Sequence, residues 1–121
     1  MVESGFGQWG NLNGDGYEGQ WQKGLKNGHG EFNGGDGSWY KGSFKDGLRT
    51  GLGEAGEVDG DLYTGEFLEG LYEGTGEMRS KDGTWYKGGW KNGVQHGNGE
   101  YTTKKGGWFR AEWKNGKRYW K

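Results

Sequence analysis

The chain contains no cysteine and no proline. The first absence excludes a disulfide scaffold and a cysteine-based zinc site, and it fits a reducing compartment. Without proline, and without a three-residue glycine period, a collagen helix is excluded as well. Aliphatic residues are too scarce for a conventional core of helices packed on a sheet. No apolar run approaches the ~18 residues of a membrane span, and no signal-peptide apolar region follows Met1, so a cytoplasmic location is expected. Two histidines and four serines offer no nucleophile, base and orienting group in one pattern, so the expectation is no enzyme, no cofactor and no metal. A formal net charge of −1 gives no general pull toward nucleic acid.

What the chain has in excess is glycine, 31 of 121 residues, and aromatic rings, 17% with 8 Trp. A glycine inside a helix costs ~1 kcal/mol relative to alanine, which excludes a helical domain. Disordered chains are poor in aromatics, which argues against disorder. A single glycine-punctuated β domain held together by rings is left.

An internal period settles the architecture. Tyr17, Tyr40, Tyr63, Tyr86 and Phe109 are each 23 residues apart. Two residues on stand Gly19, Gly42, Gly65, Gly88 and then Ala111; four on stand Trp21, Phe44, Phe67, Trp90 and Trp113. Further glycine columns start at Gly24, Gly28, Gly30 and Gly14, with no insertion. In a strand, positions i, i+2 and i+4 share a face, so Tyr17, Gly19 and Trp21 point one way and Glu18 and Gln20 the other. A second strand follows with Gly28, Gly30 and Phe32 on one face; the equivalents of Phe32 are Trp9, Ala55, Met78 and Tyr101.

Two turn columns separate the strands: Lys23-Gly24, Asp46-Gly47, Glu69-Gly70, Asn92-Gly93 and Asn115-Gly116, and Asn13-Gly14, Asp36-Gly37, Asp59-Gly60 and Asp82-Gly83. Asn-Gly and Asp-Gly supply the positive φ of tight hairpins, so an antiparallel meander of about ten strands is expected. Glycines within the strands are expected to let rings lie across bare backbone in a sharply bent sheet. The reading is all-β: an elongated, curved single-layer antiparallel meander of tandem 23-residue hairpins. It forms one domain over 1–121, with a half unit at 5–16, units at 17–39, 40–62, 63–85 and 86–108, and a partial unit at 109–121.

The stretches YEGQWQKGLKNGHG from Tyr17 to Gly30 and YKGGWKNGVQHGNG from Tyr86 to Gly99 closely resemble the MORN repeat, the membrane occupation and recognition nexus motif. The resemblance covers nearly the whole chain and departs from the pattern at Ala55 and Ala111. It implies an elongated, curved run of hairpins with a groove. It also implies a scaffold that binds a partner segment, self-associates, or tethers membranes to the cytoskeleton or to a linked enzyme.

On that basis the aromatic face is the first candidate surface, for a partner peptide or a homodimer. Its contact candidates are Tyr40, Phe44, Tyr63, Phe67, Tyr86 and Trp90. The alternative is that these rings only stack on one another in place of a core, at ~0.5–1.5 kcal/mol per pair. Trp39, Leu62, Trp85 and Trp108 precede the repeat Tyr or Phe and alternate to the other face, giving a candidate second interface unless Lys stems cover it. Residues 104–121 carry seven basic groups and one acid, a net +6, against −7 for the rest. Arg110, Lys114, Lys117, Arg118 and Lys121 are thus candidates for binding an anionic membrane surface; the plainer reading is Lys guarding an edge strand. Glu54 to Glu77, with eight acids and no base, reads as a solvated face. Residues 11–16 mimic a calcium loop faintly, but Gln22 stands where the closing Glu belongs. Carbohydrate binding, a third class for Trp-rich β repeats, is disfavoured by the 23-residue spacing.

Overall fold

A computed structural model describes residues 4–120. Eleven strands form one antiparallel sheet in sequence order. They are β1 (Gly5–Gly10), β2 (Gly16–Gln22), β3 (Leu25–Asn33), β4 (Trp39–Lys45), β5 (Leu48–Gly56), β6 (Leu62–Leu68), β7 (Leu71–Arg79), β8 (Trp85–Lys91), β9 (Val94–Thr102), β10 (Trp108–Lys114) and β11 (Lys117–Trp120). The all-β meander of tandem hairpins is as expected, with one strand more than the count of about ten.

The two turn columns differ. At Lys23-Gly24 both residues have positive φ, 53° and 79°, and the same holds at Asp46, Glu69, Asn92 and Asn115 with their glycines. These are the tight two-residue turns whose twist matches flanking strands. The other column builds five-residue loops, at 11–15, 34–38, 57–61, 80–84 and 103–107. There only glycines have positive φ, one in each of the first four loops and both Gly106 and Gly107 in the last. Asp36 and Asp82 instead accept from the backbone N–H of Ser38 and Thr84, at 2.9 and 3.0 Å. The short acidic side chain thus closes a local turn on its own backbone. The tight-turn expectation for this column is corrected accordingly.

Each unit bends at one place. Gly19 pairs with Gly30, but the next pair is Trp21 with Lys26. One residue of β2, Gln20, therefore faces Asn27, Gly28 and His29 of β3. The same shift recurs at Gly42/Phe44, Gly65/Phe67 and Gly88/Trp90. Gly28, at φ 81°, takes the left-handed conformation that the bulge requires. The opposite edge of β3 stays in register with β4 from Gly28–Phe44 to Asn33–Trp39. A bulge on one edge and a regular ladder on the other bend the sheet once per unit.

That bend encloses the rings. Tyr17, Tyr40, Tyr63 and Tyr86 are 2, 2, 0 and 4% exposed. Each lies edge-on between the ring four residues on and its counterpart one unit further: Tyr17 with Trp21 (5.1 Å) and Phe44 (5.2 Å), Tyr40 with Phe44 (5.0 Å) and Phe67 (5.0 Å). The chain continues through Tyr63 with Phe67 and Trp90, and Tyr86 with Trp90 and Trp113. Edge-to-face pairs stabilise by ~0.5–1.5 kcal/mol each beyond area burial. The core is this interlocked row, and every unit is tied to the next through it.

Candidate functional site

The six rings proposed from sequence as a contact groove are the inside of this row. Tyr40, Phe44, Tyr63, Phe67, Tyr86 and Trp90 are 0–7% exposed. They pack on one another, edge to face, and so leave little ring surface open to a partner. Burial pushes the Tyr40 and Tyr86 hydroxyls up to about 12, and raises those of Tyr63 and Tyr72 further.

A column that the sequence reading missed closes the row. Lys26 stands with its ammonium 5.7, 5.3 and 5.5 Å from the Trp9, Tyr17 and Phe32 rings. One unit on, the Arg49 guanidinium lies 5.5 Å from Tyr40 and 4.8 Å from Phe67. Another unit on, Tyr72 stacks on Tyr63 at 4.0 Å and donates its hydroxyl to Glu57. Lys26, Arg49 and Tyr72 have no common residue type, so the repeat does not mark them in sequence. Their shared register, each opposite Trp21, Phe44 or Phe67, is the only signal.

The opposite face is polar and regular. A row of cross-strand neighbours runs Glu18, Glu31, Lys41, Glu54, Thr64, Glu77, Lys87, Glu100 and Arg110. Arg110 Nε lies 3.3 Å from a Glu100 carboxylate oxygen, and Lys87 Nζ 4.0 Å from one of Glu77. A recess of about 730 Å³ opens on this face, lined by Lys87, Gly88, Asn98, Gly99, Glu100 and Arg110 among others.

Trp39, Leu62, Trp85 and Trp108 lie alongside this charged row. They do not form an unbroken stripe: Gly56 and Arg79 flank Leu62, and Thr102 pairs with Trp108 while accepting from the Trp85 N–H at 2.9 Å. A cation two residues on covers each Trp. Lys41 lies 5.6 Å from the Trp39 centroid, Lys87 4.6 Å from Trp85 and Arg110 5.9 Å from Trp108. Leu62, with no aromatic face, is followed by Thr64. Trp108 remains 56% exposed.

The basic end is partly engaged. Arg110 is paired with Glu100. Arg118 donates to the Tyr101 hydroxyl and its guanidinium lies 5.8 Å from that ring. Lys114 and Lys117 are exposed, and Lys121 lies outside the described residues. The charge asymmetry reaches beyond this end: residues 79–121 hold eleven basic and three acidic groups, net +8, and residues 1–78 hold net −9.

A further set of side chains ties unit to unit. Ser4, Asn27, Thr50 and Glu73 each accept from the backbone N–H of the turn residue 19 positions on, at 3.4, 3.3, 3.2 and 3.1 Å. His96 occupies the next place in this column, and its Nδ1 is buried without a partner. Among the described residues no group of three or more His, Asp or Glu could hold a metal ion, and no helix is long and apolar enough to cross a membrane.

With this geometry in view, the family comparison is direct. The MORN repeat model matches residues 17–39, 40–54, 63–85 and 86–108. The chain belongs to the MORN-repeat family. MORN repeats are generally protein or membrane interaction modules, and the repeat is a non-enzymatic one. No curated protein sequence matches the chain. The second match stops at residue 54, eight short of its unit, and Ala55, Gly56 and Glu57 follow at once.

Proposed function

We propose that the chain is a protein-interaction module that docks an acidic segment of a partner on the face opposite the buried rings, across β8 to β10. The observation that carries this reading is the recess over Gly88 and Gly99, edged by Lys87 and Arg110 with Glu100 and Glu112 between and beside them, in the half of the chain with net positive charge. The net +8 of residues 79–121 supplies the complementary field, which raises association rate and selects partners by charge. Trp85 and Trp108 beside the recess supply apolar area of the kind that dominates interface energies.

The test is affinity capture followed by binding measurements on the captured partner. Lys87→Glu with Arg110→Glu should weaken binding at least tenfold, measured at a temperature where the variant is folded, because the reversal also sets both side chains against Glu77 and Glu100. An unchanged affinity contradicts the reading. Binding of an anionic lipid surface is the second reading, favoured by exposed Lys114 and Lys117 on the last hairpin. Phosphatidylserine vesicles test it: binding lost with Lys114→Glu and Lys117→Glu, but kept with Lys87→Glu, moves the function to the membrane.

A further inference from the structure

From β3 to β10 the polar row alternates in sign. Glu31, Glu54, Glu77 and Glu100 stand on the odd strands; Lys41, Lys87 and Arg110 stand on the even ones, with Thr64 the neutral member on β6. The two halves of the row are unequally satisfied. Glu77 and Glu100 each have a cation within 4.0 Å. Among the described residues, Glu31, Lys41 and Glu54 have no opposite charge that close.

The same face is apolar at its middle. Leu68 and Leu71 pair across β6 and β7, and both are 48% exposed. Alternation from Phe67 and Tyr72, which pair on the ring side, puts these leucines on the polar side. Leu52, paired with Glu66, projects from that side at 70% exposed.

We infer that this face is the contact between two copies of the chain, related by a twofold axis that runs along the strands between β6 and β7. The contact rests on the docking role proposed for Lys87 and Arg110, and the acidic segment they meet is β3 to β5 of a second copy. Such an axis reverses the strand order and lays odd strands on even ones. Glu54 then comes opposite the second copy's Lys87, Lys41 opposite its Glu100 and Glu31 opposite its Arg110, and each pair occurs twice. Glu112, the other carboxylate beside Arg110, comes opposite His29. At the axis Leu68 meets the second copy's Leu71, and Leu52 comes over its Gly89, which has no side chain to obstruct it. An axis lying on a strand would set odd on odd, with Glu54 against Glu77 for an axis on β6, and like charges oppose that register.

Charge on the larger scale agrees. Residues 1–78 hold net −9 and residues 79–121 net +8, so reversal of the strand order brings unlike halves together. The size is adequate too. The six strands nearest the axis, about 4.8 Å apart and about seven residues long, cover roughly 700 Å² per copy. A standard interface takes about 800 Å² per partner, with an apolar centre and a polar rim.

Sedimentation velocity of the full chain over a concentration series tests the contact, and the expected result is a species of twice the chain mass. Glu54→Lys and Lys87→Glu each set like charges against one another on both sides of the axis, and each should weaken self-association at least tenfold. An equal mixture of these two variants should restore it, since each then meets the opposite charge in the other. Leu68→Thr with Leu71→Thr should leave only monomer. All are compared where circular dichroism shows each variant folded. A chain monomeric throughout the series, a dimer indifferent to the charge reversals or to the leucine change, or a mixture no better than either variant alone overturns the inference. A monomer whose binding to a different captured partner is still lost with Lys87→Glu plus Arg110→Glu overturns the second copy as occupant and leaves the basic docking face standing. Indifference in both experiments overturns both.

Discussion

The Tyr63 hydroxyl donates to the Glu66 carbonyl, 2.9 Å away, at the one place where β6 and β7 lose register. Tyr17, Tyr40 and Tyr86 do the same to Gln20, Ser43 and Gly89, at 2.9, 2.7 and 3.0 Å. The tyrosine of the repeat thus fills the core with its ring and pins the bulge with its hydroxyl. Phe109, in the last unit, has no hydroxyl, and in that unit the otherwise constant glycine is Ala111. In the other units a Cβ at this glycine would crowd both the Tyr hydroxyl and the glycine across the strand; at Gly19 both lie 2.5 Å away.

Tyr63→Phe separates these two roles. It keeps the ring but leaves a part-buried carbonyl unpaired, which should cost about 1–3 kcal/mol. Chemical denaturation should show this loss with an unchanged denaturant slope. A cost near zero would mean that water serves the carbonyl as well as tyrosine does.

Gly76→Ala is the reciprocal change. A Cβ at Gly76 would fall on the Tyr63 ring itself. Forced displacement of a close-packed ring should cost about 1–3 kcal/mol or more. The circular dichroism melt should fall well below that of Gly83→Ala, whose Cβ meets nothing within 4 Å and whose only penalty is positive φ.

His96→Asn should stabilise the chain. Asn27, at the equivalent place, accepts the Asp46 N–H through its side-chain oxygen, whereas His96 Nδ1 is buried without a partner. Restoring the acceptor should gain about 0.5–1.5 kcal/mol. Hydrogen exchange at Asn115 is the specific readout, since slower exchange there shows that the new oxygen has taken the turn N–H.

The buried tyrosines predict an alkaline limit. Burial raises the Tyr40 and Tyr86 hydroxyls to about 12, above the ordinary value of 10.0. A group that is harder to ionise when folded contributes fully below its unfolded value and loses that contribution as pH rises through the folded one. Stability should hold up to about pH 10 and fall between pH 10 and 12. Tyrosinate absorbance should rise together with loss of the near-ultraviolet circular dichroism signal; early ionisation with intact structure would show the rings to be open to solvent.

At the acid end the loops give the opposite sign. Hydrogen bonds from the Ser38 and Thr84 hydroxyls and backbone N–H groups hold the Asp36 and Asp82 carboxyls below the usual value of 3.8. Their contribution is present above that value and is lost as pH falls through the lower folded one. Asp82→Asn should flatten the acid limb of a pH–stability curve.

The 23-residue period made the repeat units and the meander legible, because glycine and aromatic columns repeat without insertion. The tight-turn column was equally plain, since two consecutive positive-φ residues demand such chemistry. Depth was not legible. Alternation places Tyr63 and Phe67 on one face, but only the three-against-one bulge, which alternation does not reveal, tells that these rings are buried. Lys26, Arg49 and Tyr72 escaped for a related reason: they share a register position, not a chemistry. Ala55 was visible as a departure from the pattern, yet its burial, at 1% exposed, was not.

The central claim is that the repeat's rings serve folding while the opposite face serves binding. Affinity for a captured partner should be measured with Tyr63→Phe and with Lys87→Glu plus Arg110→Glu, both at a temperature where each variant is folded. The account predicts near-parental affinity for the first and at least a tenfold loss for the second. Loss with Tyr63→Phe and retention with the double charge reversal would contradict it, and would return the contact surface to the aromatic face.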